Sequence, residues 1–525
     1  MKGLRVSAVV SGLVGLVCIG LLIAGLVSKD TIGGKRYGII LDAGSSGTRV
    51  YVYNWPGAIP SGDEYPRVTP DPVYLKIKPG LSELGGHTTG EVVSYLEPLL
   101  TYGEQNVPAD KEYLTPIFLR ATAGLRLLPQ DQQDALMHDV VVAFESETDF
   151  AYVPNGRSAR VIEGTHEGGY MFIAVNYALQ NLRRIVPLNA TAGILDCGGA
   201  STQIAYVPQG LDVVPEDYTA PFLDGVYTTS YLLYGKNEAR YRLYRLVMTA
   251  AHAVPGAEDT YFNPCMPIGL TDFSKTVNAT FVGTSDVHQC RDLVGSLLNV
   301  TKDCPTAPNC GMDGQYMPAL DKHGPASGIW YATSNYVAAV QNIGLGMGVH
   351  VLRDVVSSVT SFCALNATAQ QAVAGPDADI DDHWCFVAMW TSELMATGYS
   401  FDLDTAVHYE EKISSPNSGT YAVSWTLGAM IREAGIFDYP RMKTKLKARV
   451  GSDGGTAVLM VAGAVGLGAL VLAAALLVLD HRTGEQDEEE GGLSAASPLL
   501  GGVHALSPAL SNRTLQSDGS SDAVY

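Results

Sequence analysis

The chain has 525 residues, a formal net charge of −20, 46% hydrophobic residues and 17% charged ones. That length calls for more than one domain, and the hydrophobic content excludes a disordered acidic chain. The negative balance argues against nucleic acid as a partner, because such binding needs a basic footprint.

Residues 1–5 carry Lys2 and Arg5 and read as a cytosolic N-terminus. Residues 6–27 are 22 positions without a charge, enough for a transmembrane helix. A cleaved signal peptide is the alternative. The run exceeds the ~7–15 apolar residues of a signal core and no clear small-x-small site follows, so a retained anchor is expected.

Next comes one half of a near-duplication. Gly38–Leu41 leads into Asp42-Ala-Gly-Ser-Ser-Gly-Thr48 and then Val50–Tyr53. Gly193–Leu195 leads into Asp196-Cys-Gly-Gly-Ala-Ser-Thr202 and then Ile204–Val207. Asp42 aligns with Asp196, Gly44 with Gly198 and Thr48 with Thr202, without a gap. Each copy reads as strand, small-residue turn, strand. Small residues let backbone N–H groups approach an anion closely. The hydroxyls of Ser45, Ser46, Thr48, Ser201 and Thr202 add donors, and each leading carboxylate can hold the metal that accompanies a polyphosphate. An ordinary Gly-rich hairpin with a capping Asp explains one copy as well, but two aligned copies poorly. No Walker A loop occurs, and Gln203 stands where a nucleophile elbow around Ser201 needs Gly.

Between the copies, Leu119–Arg126 reads as a strand-to-helix turn with Thr122 as a hydroxyl, or as a plain connection. Glu163–Tyr170 runs into Met171–Tyr177, a mostly buried helix or strand. Glu167 at its start is either a simple helix-start acid or a carboxylate able to take a proton from water. Tyr170 replaces the second His of H-E-x-x-H, which removes a zinc protease from consideration.

Apart from Cys18, all the cysteines lie between the first apolar run and a second one, and sequons stand there at Asn189, Asn278, Asn299 and Asn366. Together they point to an oxidising, glycosylating compartment. A zinc site is not indicated, because there is no C-x2-C pair. The second run, 456–479, has 24 uncharged residues and reads as another transmembrane helix. Both termini then lie in the cytosol. Arg441, Lys443, Lys445, Lys447 and Arg449 oppose that orientation under the positive-inside rule. The tail 480–525 carries −6, is rich in Gly, Ser and acids, and reads as disordered. The region between the runs carries −16. Ala462 with Gly466 and Ala464 with Gly468 allow close helix contact, hence a homo-oligomer through the membrane helices, or simply face lipid.

These segments, with Trp384-Cys-Phe386, Gly398-Tyr399 and Ser424–Gly428 after them, resemble the conserved regions of the nucleoside triphosphate diphosphohydrolases, or apyrases. The resemblance runs from about Tyr37 to Phe437 and is closest to the two-span Golgi and lysosomal branch. It implies an α/β fold of two RNase-H-like lobes, the actin-like ATPase fold, with a central nucleotide cleft flanked by two transmembrane helices. The expected divisions are lobe I at 36–168, lobe II at 169–424 and a return segment to lobe I at 425–449. The implied activity is Ca2+- or Mg2+-dependent hydrolysis of nucleoside tri- and diphosphates to the monophosphate, in a lumenal or extracellular region of a multi-pass membrane protein.

Carried over by residue, Glu167 is the implied base, with Ser201 and Thr122 placing the water. Ser45, Ser46, Gly47 and Thr48 form one phosphate loop, and Gly198, Gly199, Ala200 and Ser201 the other. Asp42 and Asp196 hold the metal through water, with Gln203 near its shell. Tyr336 and Trp425 are the implied base-stacking aromatics. The implied disulfides are Cys265–Cys290, Cys304–Cys310 and Cys363–Cys385, leaving Cys197 free. Gly47 stands where surface-type members usually carry His, Cys197 where the family has Leu or Met, and Met171-Phe172 where Gly-Trp is common. Two other functions stay open: a polyphosphate-type phosphohydrolase of the same superfamily, and a catalytically inactive nucleotide-binding surface protein.

Overall fold

The computed structural model describes residues 34–436 except 58–67, 70–71, 155, 183–185, 211–213, 221, 251–253, 305, 307–308, 377, 380–382 and 416–418. The expected spans 6–27 and 456–479, the basic run 441–449 and the tail 480–525 lie outside the described residues. Among the described residues, no helix is long and apolar enough to cross a membrane.

The first sheet is built from β1 (Lys35–Gly44), β2 (Gly47–Pro56), β3 (Val73–Ile77), β4 (Ile117–Ala121) and β5 (Ala159–Val161) in the order β3-β2-β1-β4-β5. β1 pairs antiparallel with β2 and parallel with β4. The second copy of the motif gives β6 (Gly193–Cys197) and β7 (Ser201–Tyr206), followed by β8 (Tyr227–Leu232). A small three-stranded sheet comprises β9 (Thr260–Asn263), β10 (Thr271–Ser274) and β11 (Ala279–Gly283). The chain then returns through β12 (Trp330–Ser334), β13 (Gly348–Val351) and β14 (Ala406–Tyr409), and a hairpin, β15 (Lys412–Ser415) with β16 (Gly419–Ala422), follows. The second large sheet has the order β13-β14-β12-β6-β7-β8. Its run β8-β7-β6-β12-β14 repeats the pattern of the first sheet, and β13 is an added antiparallel edge. The duplication seen in residues is therefore a duplication of architecture.

Strand alternation sends successive side chains to opposite faces. On β1, Ile39, Leu41 and Ala43 enter an outer core with the helices α1 (Thr89–Asn106) and α2 (Gln130–Glu147). Ile40 points instead into a central core. On β6 and β7, Leu195 and Ile204 enter the outer core of the second lobe, while Ile194 and Ala205 face the central one. That central core is filled mainly by α3 (Gly164–Ala178) and by the later helix Trp425–Ile436.

This position explains the ambiguous hydrophobic pattern of Met171–Tyr177. A helix between two sheets is apolar all round, and α3 buries every residue from Glu167 to Asn176. The lobe division expected between 168 and 169 falls inside α3, which is one continuous helix. The helix Trp425–Ile436 returns to the first sheet, where Thr426 Oγ1 lies 2.8 Å from Tyr53 Oη. It crosses α3 so closely that a Cβ on Gly428 would overlap the Tyr170 carbonyl. Buried Arg120 on β4 ties this helix down through Glu433, with Nη2 2.7 Å from Oε1.

All three implied disulfides are present, and Cys197 is free and buried. Asn189, Asn278 and Asn366 are exposed. Asn299 is half-buried and donates Nδ2 to Asp313 Oδ1 at 2.8 Å.

Candidate functional site

Both small-residue turns sit at the ends of central strands. The hairpin register opposes Asp42 to Arg49 in the first lobe and Asp196 to Gln203 in the second. The turns face each other across one cleft. A Cβ on Gly199 would overlap the Ser45 hydroxyl, so the two loops meet where neither has a bulky side chain. The resulting cavity is about 390 Å³ and is lined by both aspartates, Glu167, Ser45, Ser46, Thr122 and Ser201.

Three carboxylates share this cavity, and burial governs all of them. Glu167, in the first turn of α3, has its pKa pushed up to about 7 by burial. The guanidinium of Arg126, whose Nη2 donates to Glu167 Oε2 at 2.6 Å, works against that rise, while Asp196 and Asp42 add to it. Asp42 is pushed up to about 6 by burial, opposed by Arg49, whose Nη1 lies 3.2 Å from Oδ2. Asp196 is also raised by burial, opposed by hydrogen bonds from Ser334 and Thr333. The Thr333 hydroxyl donates to Asp196 Oδ1 at 2.9 Å.

Gln203 lies behind this set. Its Nε2 is 2.7 Å from Ser201 Oγ, 3.0 Å from Ser230 Oγ and 3.2 Å from Glu167 Oε2. Its Oε1 is buried without a protein partner. Among the described residues, no group of three or more His, Cys, Asp or Glu could hold a metal ion directly. Two aspartates and a buried, unpartnered amide oxygen are hard oxygen acceptors. They fit Ca2+ or Mg2+ held largely through its own waters, the usual habit of Mg2+.

Most of the expected site residues come together here. Asp42, Ser45, Ser46, Thr122, Glu167, Asp196, Gly198, Gly199, Ala200, Ser201 and Trp425 line the cavity. Gly47 and Thr48 do not. Gly47 is packed beneath the Ile77 carbonyl, and Thr48 is fully buried and accepts from Tyr95 Oη at 2.8 Å. Their expected place in the phosphate loop is corrected to a place behind it. Tyr336 is also corrected. Its ring is fully buried in the outer core of the second lobe, where it cannot stack on a bound base. Trp425, by contrast, borders the cleft with Tyr51, Met171 and Val423.

The cations of the cleft, Arg49, Lys76 and Lys236, were not anticipated from the sequence, and neither was Arg126 beside Glu167. Arg126 closes the same segment as Thr122, but only the fold shows that it reaches α3.

Two expected outcomes follow from this geometry. In Arg126→Gln, the guanidinium that keeps Glu167 ionised is gone. With Glu167 as the implied base, the acid limb of kcat/KM then moves to higher pH, and the rate at pH 6 falls about tenfold for each unit of that movement. Activity returns as pH rises, and a pH–rate profile checks this. In Gly199→Ala, the new methyl displaces the Ser45 hydroxyl from the gap between the loops. A loss of kcat/KM of about tenfold or more, on the scale of one displaced hydrogen bond, with little change in unfolding temperature is expected from kinetics alongside a thermal melt.

The model of the GDA1/CD39 (nucleoside phosphatase) family matches residues 29–448. The guanosine-diphosphatase of Schizosaccharomyces pombe is 30% identical over 426 residues, covering 76% of this chain and 73% of that protein. Human ectonucleoside triphosphate diphosphohydrolase 4 is 29% identical over 464 residues, covering 75% and 72%. Among solved structures, a nucleoside triphosphate hydrolase from Neospora caninum matches with a TM-score of 0.56 and 16% identity, covering 81% of this chain and 96% of that one. At that identity the likeness is one of fold. It agrees with the two equivalent sheets seen here.

Proposed function

The chain belongs to the GDA1/CD39 nucleoside phosphatase family and is an apyrase-type nucleoside phosphate hydrolase, and from that premise we propose that its interlobe cleft converts nucleoside tri- and diphosphates to the monophosphate by direct attack of a water activated by Glu167. The observation that carries this reading is the convergence of Asp42, Asp196 and Glu167 with both small-residue turns on one cavity.

The phosphate chain lies between the two turns, held by backbone N–H groups and by the hydroxyls of Ser45, Ser46 and Ser201. Thr122 and Ser201 hold the attacking water, and Glu167 takes its proton. Gln203 fixes Ser201 and Glu167 relative to one another through Nε2. The bond from water oxygen to the terminal phosphorus forms as the bridging P–O bond breaks, and the leaving nucleotide takes the bonding pair. Asp42 and Asp196, with the buried Gln203 amide oxygen behind them, would hold a divalent cation through its waters, and such a cation would neutralise charge on the phosphate oxygens when bound. Positioning and charge neutralisation are the main needs of phosphoryl transfer, and no covalent intermediate is required. Trp425, with Tyr51 and Met171, forms the wall for the base, where stacking is tolerant of base identity.

The three disulfides and the exposed sequons support a lumenal or extracellular position for the lobes. The anchoring spans 6–27 and 456–479, any pairing of copies through them, and a Golgi- or lysosome-like compartment belong to the same proposal.

A phosphate-release panel tests it, with ATP, ADP, GDP, UDP and inorganic polyphosphate as substrates and Ca2+, Mg2+ or EDTA present. Release from at least one nucleotide, lost in EDTA, is expected. Release from polyphosphate alone would favour the polyphosphatase alternative, and no release under any condition the inactive nucleotide-binding one.

A further inference from the structure

The three cavity carboxylates are not compensated alike. Asp42 has Arg49 and Glu167 has Arg126, whereas the hydrogen bonds to Asp196 come from neutral donors, the hydroxyls of Thr333 and Ser334 and the Cys197 backbone. The contrast is sharpest at equivalent places. Arg49 and Gln203 hold the same register position opposite their aspartates, yet one is a cation and the other a neutral amide. Arg49 also faces the cavity, with a quarter of its side chain accessible, so it is not locked into a core.

A guanidinium on Asp42 Oδ2 neutralises a buried charge. It also competes with any second cation for the same carboxylate, since two positive charges a few ångströms apart in a partly dry cleft repel strongly. A phosphate offers the guanidinium a better partner, because its planar fork matches phosphate oxygens. A nucleotide that arrives with its divalent cation brings both replacements at once.

We propose that Arg49 is a resident counter-ion of Asp42 that passes to the substrate phosphate when a divalent cation takes the aspartate, so that cation and nucleotide bind as a coupled pair. This rests on the divalent-cation reading of the cleft given above.

The test is Ca2+ binding to the full-length protein by calorimetry at pH 8, with and without a methylene-bridged nucleoside diphosphate. In the wild type, the analogue tightens Ca2+ binding at least about tenfold, the scale of one close charge pair in a partly exposed site. In Arg49→Gln, Ca2+ alone binds about tenfold more tightly than to the wild type, and the analogue adds less than about threefold. Arg49→Lys keeps the charge but not the fork, so Ca2+ alone binds as to the wild type and the analogue tightens it less than in the wild type but more than in Arg49→Gln. An Arg49→Gln protein that binds Ca2+ no more tightly than the wild type overturns the proposal, and so does weak coupling in the wild type itself, whether or not the variant folds. A wild type that binds no Ca2+ in either condition overturns the divalent-cation reading instead.

Discussion

Glu167→Gln is expected to lower kcat by about 10²–10⁴-fold, the usual contribution of a positioned general base, while nucleotide affinity stays within about threefold. Glutamine has nearly the same shape, and its amide oxygen, placed where Glu167 Oε2 stands, accepts from Arg126. What is lost is the ability to accept a proton from water. The pH dependence gives a second signature. Burial raises the Glu167 carboxyl to about 7, and in the proposed mechanism its ionised form is the base. The wild-type kcat/KM therefore falls about tenfold per unit below pH 7 and levels off above it. Phosphate release at several pH values, with binding of a non-hydrolysable analogue, checks both. A variant that keeps its rate removes Glu167 from the reaction.

The largest expected loss of stability comes from Arg120→Met. The guanidinium is almost inaccessible at 1%, donates to the Leu119 and Ser158 carbonyls at 3.1 Å each, and pairs with Glu433 at 2.7 Å. The only other cation within ion-pair reach of Glu433 among the described residues is Arg160, with Nη2 3.9 Å away. Truncating one partner of such a pair leaves the other charge buried, which costs about 3–5 kcal/mol. The effect reaches function because Glu433 lies on the helix that begins with Trp425 at the cleft. Arg120→Met with Glu433→Leu is expected to recover much of the loss, since a dry apolar pair needs no partner charge. Urea unfolding of the single and double variants measures both. A single variant within about 1 kcal/mol of wild type would mean that water reaches this pair.

The parts of the site that were legible in the sequence are those set by local spacing. Asp42–Thr48 and Asp196–Thr202 align without a gap, and the same spacing produced two hairpins with the same register. A strand ending in Asp and a turn of Gly, Ala and Ser leave few conformational alternatives. Other features depended on contacts far apart in the chain. Whether Met171–Tyr177 was helix or strand could not be read from its period, because α3 is buried on every side between two sheets. Tyr336 follows β12 at the start of the helix Asn335–Asn342, close to the cleft in sequence. Its ring turns into the outer core, while its neighbours Ser334 and Asn335 line the cleft. An aromatic residue one position from a site carries no mark of which way it faces. Arg49, Lys76, Arg126 and Lys236 were likewise ordinary surface cations until the fold brought them to the carboxylates.

The most direct measurement is a single turnover of a nucleoside diphosphate in 18O-labelled water with Mg2+ present. Attack of a cleft-held water on the terminal phosphorus predicts one 18O atom in each released phosphate and none in the nucleoside monophosphate, with both products formed about 10²–10⁴-fold more slowly by Glu167→Gln. Label in the monophosphate, or equal phosphate release by Glu167→Gln, would contradict the account.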